Sequence, residues 1–237
     1  MKLLFVSLGC DKNLVDSEEM LGLLTGNGHE IVDSEEEADA IVINTCCFIH
    51  DAKEESVNTI LEMAEYKKTG TCKILIVTGC MAQRYKEEIT EEIPEVDAVL
   101  GTTSYGDIVK ALNEAEAGHV FREFKDINAL PEDSGRRVIT TGGHFGYLKI
   151  AEGCDKHCTY CIIPSLRGKF RSVPEERLLK QAEYMASQGV RELILVAQET
   201  TVYGTDLYGK KTLHILLKKL CQIKGIRWIR VLYCYPE

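Results

Sequence analysis

The chain has 237 residues, 45% of them hydrophobic, enough for one large core or two medium ones. Its 28 basic and 37 acidic residues leave a net charge of −9, with no like-charge block beyond Glu35-Glu36-Glu37, which argues against non-specific binding to nucleic acid. Ten cysteines, about four per cent of the chain, fall well short of a secreted disulfide framework and point to a reducing compartment.

At the N-terminus, Lys2 followed by Leu3 to Cys10 imitates a short lipoprotein signal. Its apolar part is only about six residues, and polar Asp11-Lys12-Asn13 follows at once, so it reads as a buried first strand. No stretch approaches the ~18 apolar residues of a membrane span, and a cytoplasmic protein is expected. Asp16-Ser17-Glu18-Glu19 has the form of a capping box opening a helix, with Met20, Leu21 and Leu24 inward and Gly26 or Gly28 at its end. Ile31-Val32 is a short strand and Ala40 to Ile43 a stronger one. The next helix carries Val57, Ile60, Leu61 and Ala64 on its buried face. Lys73 to Val77 is a strand with a helix over Gln83 to Ile89 behind it, and Ala98 to Leu100 leads into a helix with Ile108, Leu112 and Ala115 inward. Alternating short apolar strands and amphipathic helices predict a parallel sheet covered on both faces.

Cys10, Cys46 and Cys80 each stand three or four residues past the last strong apolar residue of a strand, Val6, Ile43 and Val77. That is the carboxyl edge, where open α/β sheets bind ligands. Three thiolates there can hold one metal cluster; the other reading is three buried small hydrophobes. Cys72, Cys221 and Cys234 read as structural.

From His119 to Gly146 the periodicity fades into turn chemistry, Pro131 to Gly135 and Thr140 to Gly143, and a domain boundary is expected near residue 135, giving domains 1–135 and 136–237. The second domain opens with a strand, Tyr147 to Ala151. A loop with Cys154, Cys158 and Cys161 follows, then a helix led by Pro174 with Leu178, Ala182 and Met185 inward, ended by Gly189. The strand Leu193 to Ala197, a helix with Leu213, Leu216, Leu217 and Leu220, and a strand Trp228 to Tyr233 complete a βαβαβ array. Three thiols in one short loop suit a cubane cluster that leaves one iron open to a ligand, whereas a closed zinc site asks for a fourth ligand, for which His157 is the only neighbour.

The spacing Cys154-x-x-x-Cys158-x-x-Cys161, with Tyr160 before the last cysteine, resembles the signature loop of the radical S-adenosylmethionine enzymes. Preceded by a domain with three dispersed cysteines, it resembles the methylthiotransferases among them. The stretches Val6 to Glu18, Asn44 to Ile49 and Val77 to Tyr85 are most similar to the branch that modifies an aspartate of small-subunit ribosomal protein twelve. The transfer RNA branch, which modifies an adenosine, usually has Gln-Met-Asn after the first cysteine, where this chain has Asp11-Lys12-Asn13. Asp11 stands where proline is frequent and Cys47 where glycine is frequent, which leaves Cys46 as the ligand by position.

The resemblance implies an α/β fold: an open parallel sheet domain, then the first half of a partial β/α barrel, the chain being a fragment of a longer protein. It implies two 4Fe-4S clusters, on Cys10, Cys46 and Cys80 and on Cys154, Cys158 and Cys161, with S-adenosylmethionine on the second. Reductive cleavage of that cofactor yields a radical that abstracts a substrate hydrogen, and sulfur and methyl are then delivered from the first cluster. Tyr160 is implied near the adenine. Gln198, Glu199 and Thr200 are implied contacts to the cofactor's amino group, and also read as an ordinary capped turn. Arg167 and Arg171 either hold a carboxylate of cofactor or substrate, or form a solvated surface pair. The implied partners are the ribosomal protein and an electron donor such as flavodoxin or ferredoxin, with no membrane and no direct nucleic-acid requirement. An iron–sulfur electron carrier and an inactive fragment are the readings from other classes.

Overall fold

The computed structural model describes residues 1–132 and 135–235. Of the expected turn Pro131 to Gly135, Asp133 and Ser134 lie outside the described residues, as do Pro236 and Glu237. The chain divides into two compact units, Met1–Arg137 and Val138–Glu237.

The first unit is built on the strands β1 (Lys2–Ser7), β2 (Glu30–Val32), β3 (Ala40–Thr45), β4 (Ile74–Gly79), β5 (Ala98–Leu100) and β6 (Phe121–Glu123). They form one sheet in the order β2-β1-β3-β4-β5-β6, every neighbouring pair parallel. Helices α1 (Asp11–Gly26) and α5 (Ile108–Glu116) cover one face, where Met20, Leu24, Ile108, Ala111 and Leu112 pack on Leu3, Val42, Ile76 and Leu100. The alternate residues Ile41, Ile43, Leu75, Val77 and Val99 are also fully buried, so both faces of the central strands are apolar, as parallel sheets require.

Four expectations change here. Helix α1 starts at Asp11 and not at Asp16: Cys10 is extended, and the Leu14 amide already donates to its carbonyl. Asp16 to Glu19 therefore sit in mid-helix and are buried, with Glu18 ion-paired to Arg137 at 2.5 Å and Glu19 accepting the Tyr105 hydroxyl at 3.0 Å. In α2 (His50–Thr69), Leu61 is exposed and the buried stripe is Ser56, Ile60, Met63 and Ala64. The helix expected over Gln83 to Ile89 is two short ones, α3 (Cys80–Arg84) and α4 (Glu88–Glu92). Strand β6 lies inside the stretch without periodicity and pairs with β5.

The second unit holds a three-stranded parallel sheet in the order β11 (Trp228–Val231), β10 (Glu192–Val196), β7 (Phe145–Lys149). The strand expected over Tyr147 to Ala151 is divided. After Lys149 the chain leaves the sheet, and β8 (Ala151–Glu152) pairs antiparallel with β9 (Arg171–Ser172). Helix α6 (Ile163–Arg167) lies between them, followed by α7 (Glu175–Ser187), α8 (Thr205–Tyr208) and α9 (Leu213–Leu220). Leu178, Ala182 and Met185 of α7 are wholly buried, and Gly189 takes φ 100° just past its end. Among the described residues no helix is long and apolar enough to cross a membrane.

Candidate functional site

In the first unit, β1, β3 and β4 are neighbours, registered with Ser7 opposite Asn44, and Thr45 opposite Gly79. Their carboxyl ends lead directly into Cys10, Cys46 and Cys80, so the three thiols come to one edge of the sheet. All are free thiols, Cys10 exposed and the other two buried.

Two glycines make that convergence possible. Gly9 has φ 87°, and a Cβ on it would stand 2.6 Å from the Cβ and 2.9 Å from the Sγ of Cys46. Gly79 has φ 94°, and a Cβ there would meet the Asn44 Oδ1 at 2.3 Å and the Thr45 carbonyl at 2.5 Å. Only glycine takes such backbone at such approach.

Buried polar side chains then fix the turns. The Asn13 amide donates to the carbonyls of Leu8 (2.7 Å) and Thr45 (3.2 Å), tying the end of β1 to the end of β3. The Asn44 amide donates to the Asn13 carbonyl and to the Ser17 Oγ, both at 2.9 Å. Ser56 of α2 grips Cys46 from both sides: its hydroxyl accepts from the Cys46 amide (3.0 Å) and donates to the Cys46 carbonyl (2.7 Å). Neither the serine nor the two asparagines figure among the residues assigned a site role by sequence. The only signal for them is polarity inside segments otherwise destined for burial.

Cys47, beside the trio, is buried, and burial pushes its thiol up to about 12; the nearby Cys80 and Cys46 thiols add to this and Arg84 opposes it.

In the second unit, the loop bearing Cys154, Cys158 and Cys161 is closed at its base. Gly153 (φ 76°) lies so near the outgoing strand that a Cβ would stand 2.1 Å from the Lys169 carbonyl, and the Cys154 amide donates to the Gly168 carbonyl at 3.1 Å. Asp155 accepts from the Phe170 amide at 3.1 Å, and the Cys161 amide donates to the Cys158 carbonyl at 2.9 Å. The tip stands open, with Cys158 exposed and Tyr160 87% exposed. His157 is exposed too, in the left-handed region at φ 43°. Among the described residues no three Cys, His, Asp or Glu side chains close around a single ion. Each trio is a set of soft thiol donors, the ligand type that iron–sulfur centres take.

The remaining expected residues fall into three places. Arg167 is buried, not a solvated surface residue, and its Nη1 lies 3.2 Å from the carboxylate of buried Glu152. Arg171 is likewise buried and donates to the Arg167 carbonyl at 3.0 Å. Gln198 donates its amide to Glu152 at 2.9 Å, and Lys149 pairs with the same carboxylate at 2.8 Å. Burial works to raise the Glu152 carboxyl, but Lys149 and Arg167 outweigh it and hold it well below the usual carboxylate range. Glu199 pairs with Lys156 of the cysteine loop at 3.0 Å. Burial pushes its carboxyl up, while Thr201 and Lys156 bring it below its ordinary value. The Thr200 hydroxyl, fully buried, donates to the carbonyls of Leu232 and Tyr233 at 2.7 and 3.0 Å, holding the turn after β10 against the chain beyond β11. Lys149 and Glu152 are absent from the sequence reading. Two opposite charges three residues apart around Ile150-Ala151, in an apolar run, are the signal that marks them.

Residues 2–101 match the family model described as uncharacterized protein family UPF0004, and residues 148–236 match the radical SAM superfamily. The chain is 66% identical over all 237 residues to "Ribosomal protein uS12 methylthiotransferase RimO" of Lachnoclostridium phytofermentans, covering 54% of that protein. It is 52% identical to the protein of that name in Clostridioides difficile, again over the whole chain and covering 53% of the relative. The chain spans about half the length of these curated relatives. Among solved structures it is similar to the radical S-adenosylmethionine methyltransferase TsrM of Kitasatospora setae, with a TM-score of 0.58 at 12% identity over 96% of this chain and 54% of that one. It is also similar to the cobalamin-dependent S-adenosylmethionine radical enzyme OxsB, with a TM-score of 0.55 at 15% identity over 96% of this chain and 38% of that one. At these identities the likeness speaks for the fold: α/β, an open parallel sheet followed by strands and helices of the radical SAM type. With a UPF0004 region followed by a radical SAM region, and with relatives matched along the whole of this chain and about half of their own length, the chain is similar to the RimO-type radical S-adenosylmethionine methylthiotransferases.

Proposed function

We propose that this chain carries the cluster-binding half of a methylthiotransferase that replaces a hydrogen on the β-carbon of an aspartate in ribosomal protein uS12 with a methylthio group. The observation that carries the reading is that each compact unit presents three free thiols from glycine-shaped backbone, one set at three adjacent strand ends and one set in a single loop.

In this reading Cys10, Cys46 and Cys80 of domain 1–135 hold the auxiliary 4Fe-4S cluster, and Cys154, Cys158 and Cys161 of domain 136–237 hold the radical cluster. When bound, the second cluster and S-adenosylmethionine supply the one-electron chemistry that activates a carbon–hydrogen bond. The protein's part is to hold and orient. Ser56, Asn13 and Asn44 fix the turns that carry the first trio. Glu152 and Arg167 close the base of the loop that carries the second, and Lys156 with Glu199 tethers it. Tyr160, exposed at the tip, offers a ring face for the adenine. Gln198, Glu199 and Arg167 lie within or beside the ion-paired groups around that loop and are the polar contacts proposed for the cofactor, with Thr200 shaping the turn that bears them.

The name shared by the relatives points to uS12 as substrate, and the acidic balance of the chain favours a protein substrate over a transfer RNA. A low-potential donor of the flavodoxin or ferredoxin kind supplies the electron. Ten free thiols fit the reducing cytoplasm. The test is anaerobic incubation of the reconstituted protein with S-adenosylmethionine, dithionite and either a uS12 loop peptide or an anticodon stem-loop. A methylthio mass gain on the peptide aspartate, lost in Cys154→Ala, is expected. Modification of the RNA and not the peptide overturns the substrate, and absence of 5′-deoxyadenosine overturns the chemistry.

A further inference from the structure

Beneath the cysteine loop of the second unit lies a set of buried charges in which Lys149 and Glu152 serve neither cofactor nor substrate in the proposed function. The Glu152 carboxylate takes Lys149 Nζ at 2.8 Å and Arg167 Nη1 at 3.2 Å on one oxygen, and the Gln198 amide at 2.9 Å on the other. All three charged side chains are more than nine-tenths buried. Two cations and one carboxylate leave this set with one net positive charge. Beside it, the carboxylate of Glu199 pairs with Lys156, and buried Arg171 is a further cation that donates to main-chain carbonyls.

The set is joined directly to the loop. Glu152 is separated from Cys154 only by Gly153, which is wedged against the carbonyls of Gly168 and Lys169, while Arg167 ends the helix that leaves the loop. The one carboxylate therefore clasps the incoming and outgoing strands of the loop, and holds two cations under it where water does not screen them. A centre that accepts an electron becomes more negative on reduction. Unscreened positive charge nearby favours the reduced form, and negative charge disfavours it.

We propose that Lys149 and Glu152 are positioning residues that set the reduction potential of the iron–sulfur centre on Cys154, Cys158 and Cys161, Lys149 raising it and Glu152 lowering it. This rests on the assignment of that loop as a cluster site. Its consequence is chemical. The charge set governs how readily a low-potential donor loads the electron, independently of any contact with substrate.

The experiment is an anaerobic redox titration of the reconstituted chain, following the paramagnetic signal of the reduced protein that Cys154→Ala removes. Iron content is measured in every variant. Lys149→Met takes the net charge of the set to zero, Glu152→Gln takes it to two positive, and the double variant returns it to one. The expected order places the midpoint of Lys149→Met below wild type, Glu152→Gln above wild type, and the double variant back at wild type. If Glu152→Gln alone fails to hold iron, Lys149→Met and the double variant still decide the order. A midpoint unmoved in Lys149→Met, or a shift in one direction in all variants as loosened packing would give, overturns the proposal. If wild type shows no signal that depends on Cys154, the cluster assignment fails and the proposal with it. A signal with the wrong order sinks the proposal alone.

Discussion

Cys46 is gripped more tightly than its exposed partner Cys10, and the grip comes from one serine. Ser56 is fully buried on α2 and satisfies both the amide and the carbonyl of Cys46. Ser56→Ala removes the hydroxyl that bonds both the amide and the carbonyl of buried Cys46, a cost of about 2–3 kcal/mol. It is expected to lower the urea midpoint and to cut iron retention by the first unit while the second unit keeps its share; unchanged iron would show that the grip is dispensable. Gly79→Ala is harsher, because its Cβ must displace Asn44 and Thr45 in a backbone region closed to alanine. At least about 2 kcal/mol of destabilisation is expected, read by denaturant titration. Cys47 makes the opposite prediction. By position it is Cys46 and not Cys47 that serves as ligand in this account, so Cys47→Ser should leave the iron content as in wild type, and a loss would make Cys47 one.

At the scale of elements, α1 carries the clearest departure from its sequence pattern. Asp16 to Glu19 imitate a helix start, yet they run along the middle of a buried helix because tertiary partners replace water: Ser7 and Asn44 for Ser17, Arg137 for Glu18, Tyr105 for Glu19. Arg137 lies 119 residues away in sequence, beyond the reach of any local pattern. Arg137→Met removes the cation paired with the buried Glu18 carboxylate and should cost about 3–5 kcal/mol, whereas adding Glu18→Leu should recover much of that. A double-mutant cycle in urea measures the coupling, and additive losses would contradict it. In α2 the period is legible, with Ile60 and Ala64 buried as expected, but Ser56 and Met63 complete the stripe in place of Val57 and Leu61: Ile60→Ala should cost about 2–5 kcal/mol and Leu61→Glu under about 0.5, since Leu61 faces solvent. The strands β1, β3, β4 and β10 were legible because continuous apolar runs leave few alternatives. Strand β6 was not. It is an edge strand of three residues, half-exposed, with only Phe121 apolar, and pairing with β5 alone defines it.

For the molecule as a whole, the cysteines were legible and their surroundings were not. Spacing alone sets Cys10, Cys46 and Cys80 just past three strands, and the sheet order then makes those strands adjacent, which no spacing reveals. The loop of Cys154, Cys158 and Cys161 announces itself by local spacing, while the Lys149, Glu152, Arg167 and Gln198 set beneath it gathers residues from β7, β8, α6 and the turn after β10. Arg167 and Arg171, solvated in one reading of the sequence, are buried: Arg167 finds the Glu152 carboxylate, and Arg171 donates to the main-chain carbonyls of Arg167 and Lys169. The central claim is that the two units carry two independent three-cysteine clusters. Its most direct test is iron and sulfide content with paramagnetic resonance on the anaerobically reconstituted chain, beside Cys10→Ala and Cys154→Ala. About eight irons per chain, falling to about four in each variant, is the predicted result. Zinc in place of iron, or iron unaffected by Cys10→Ala, would contradict it.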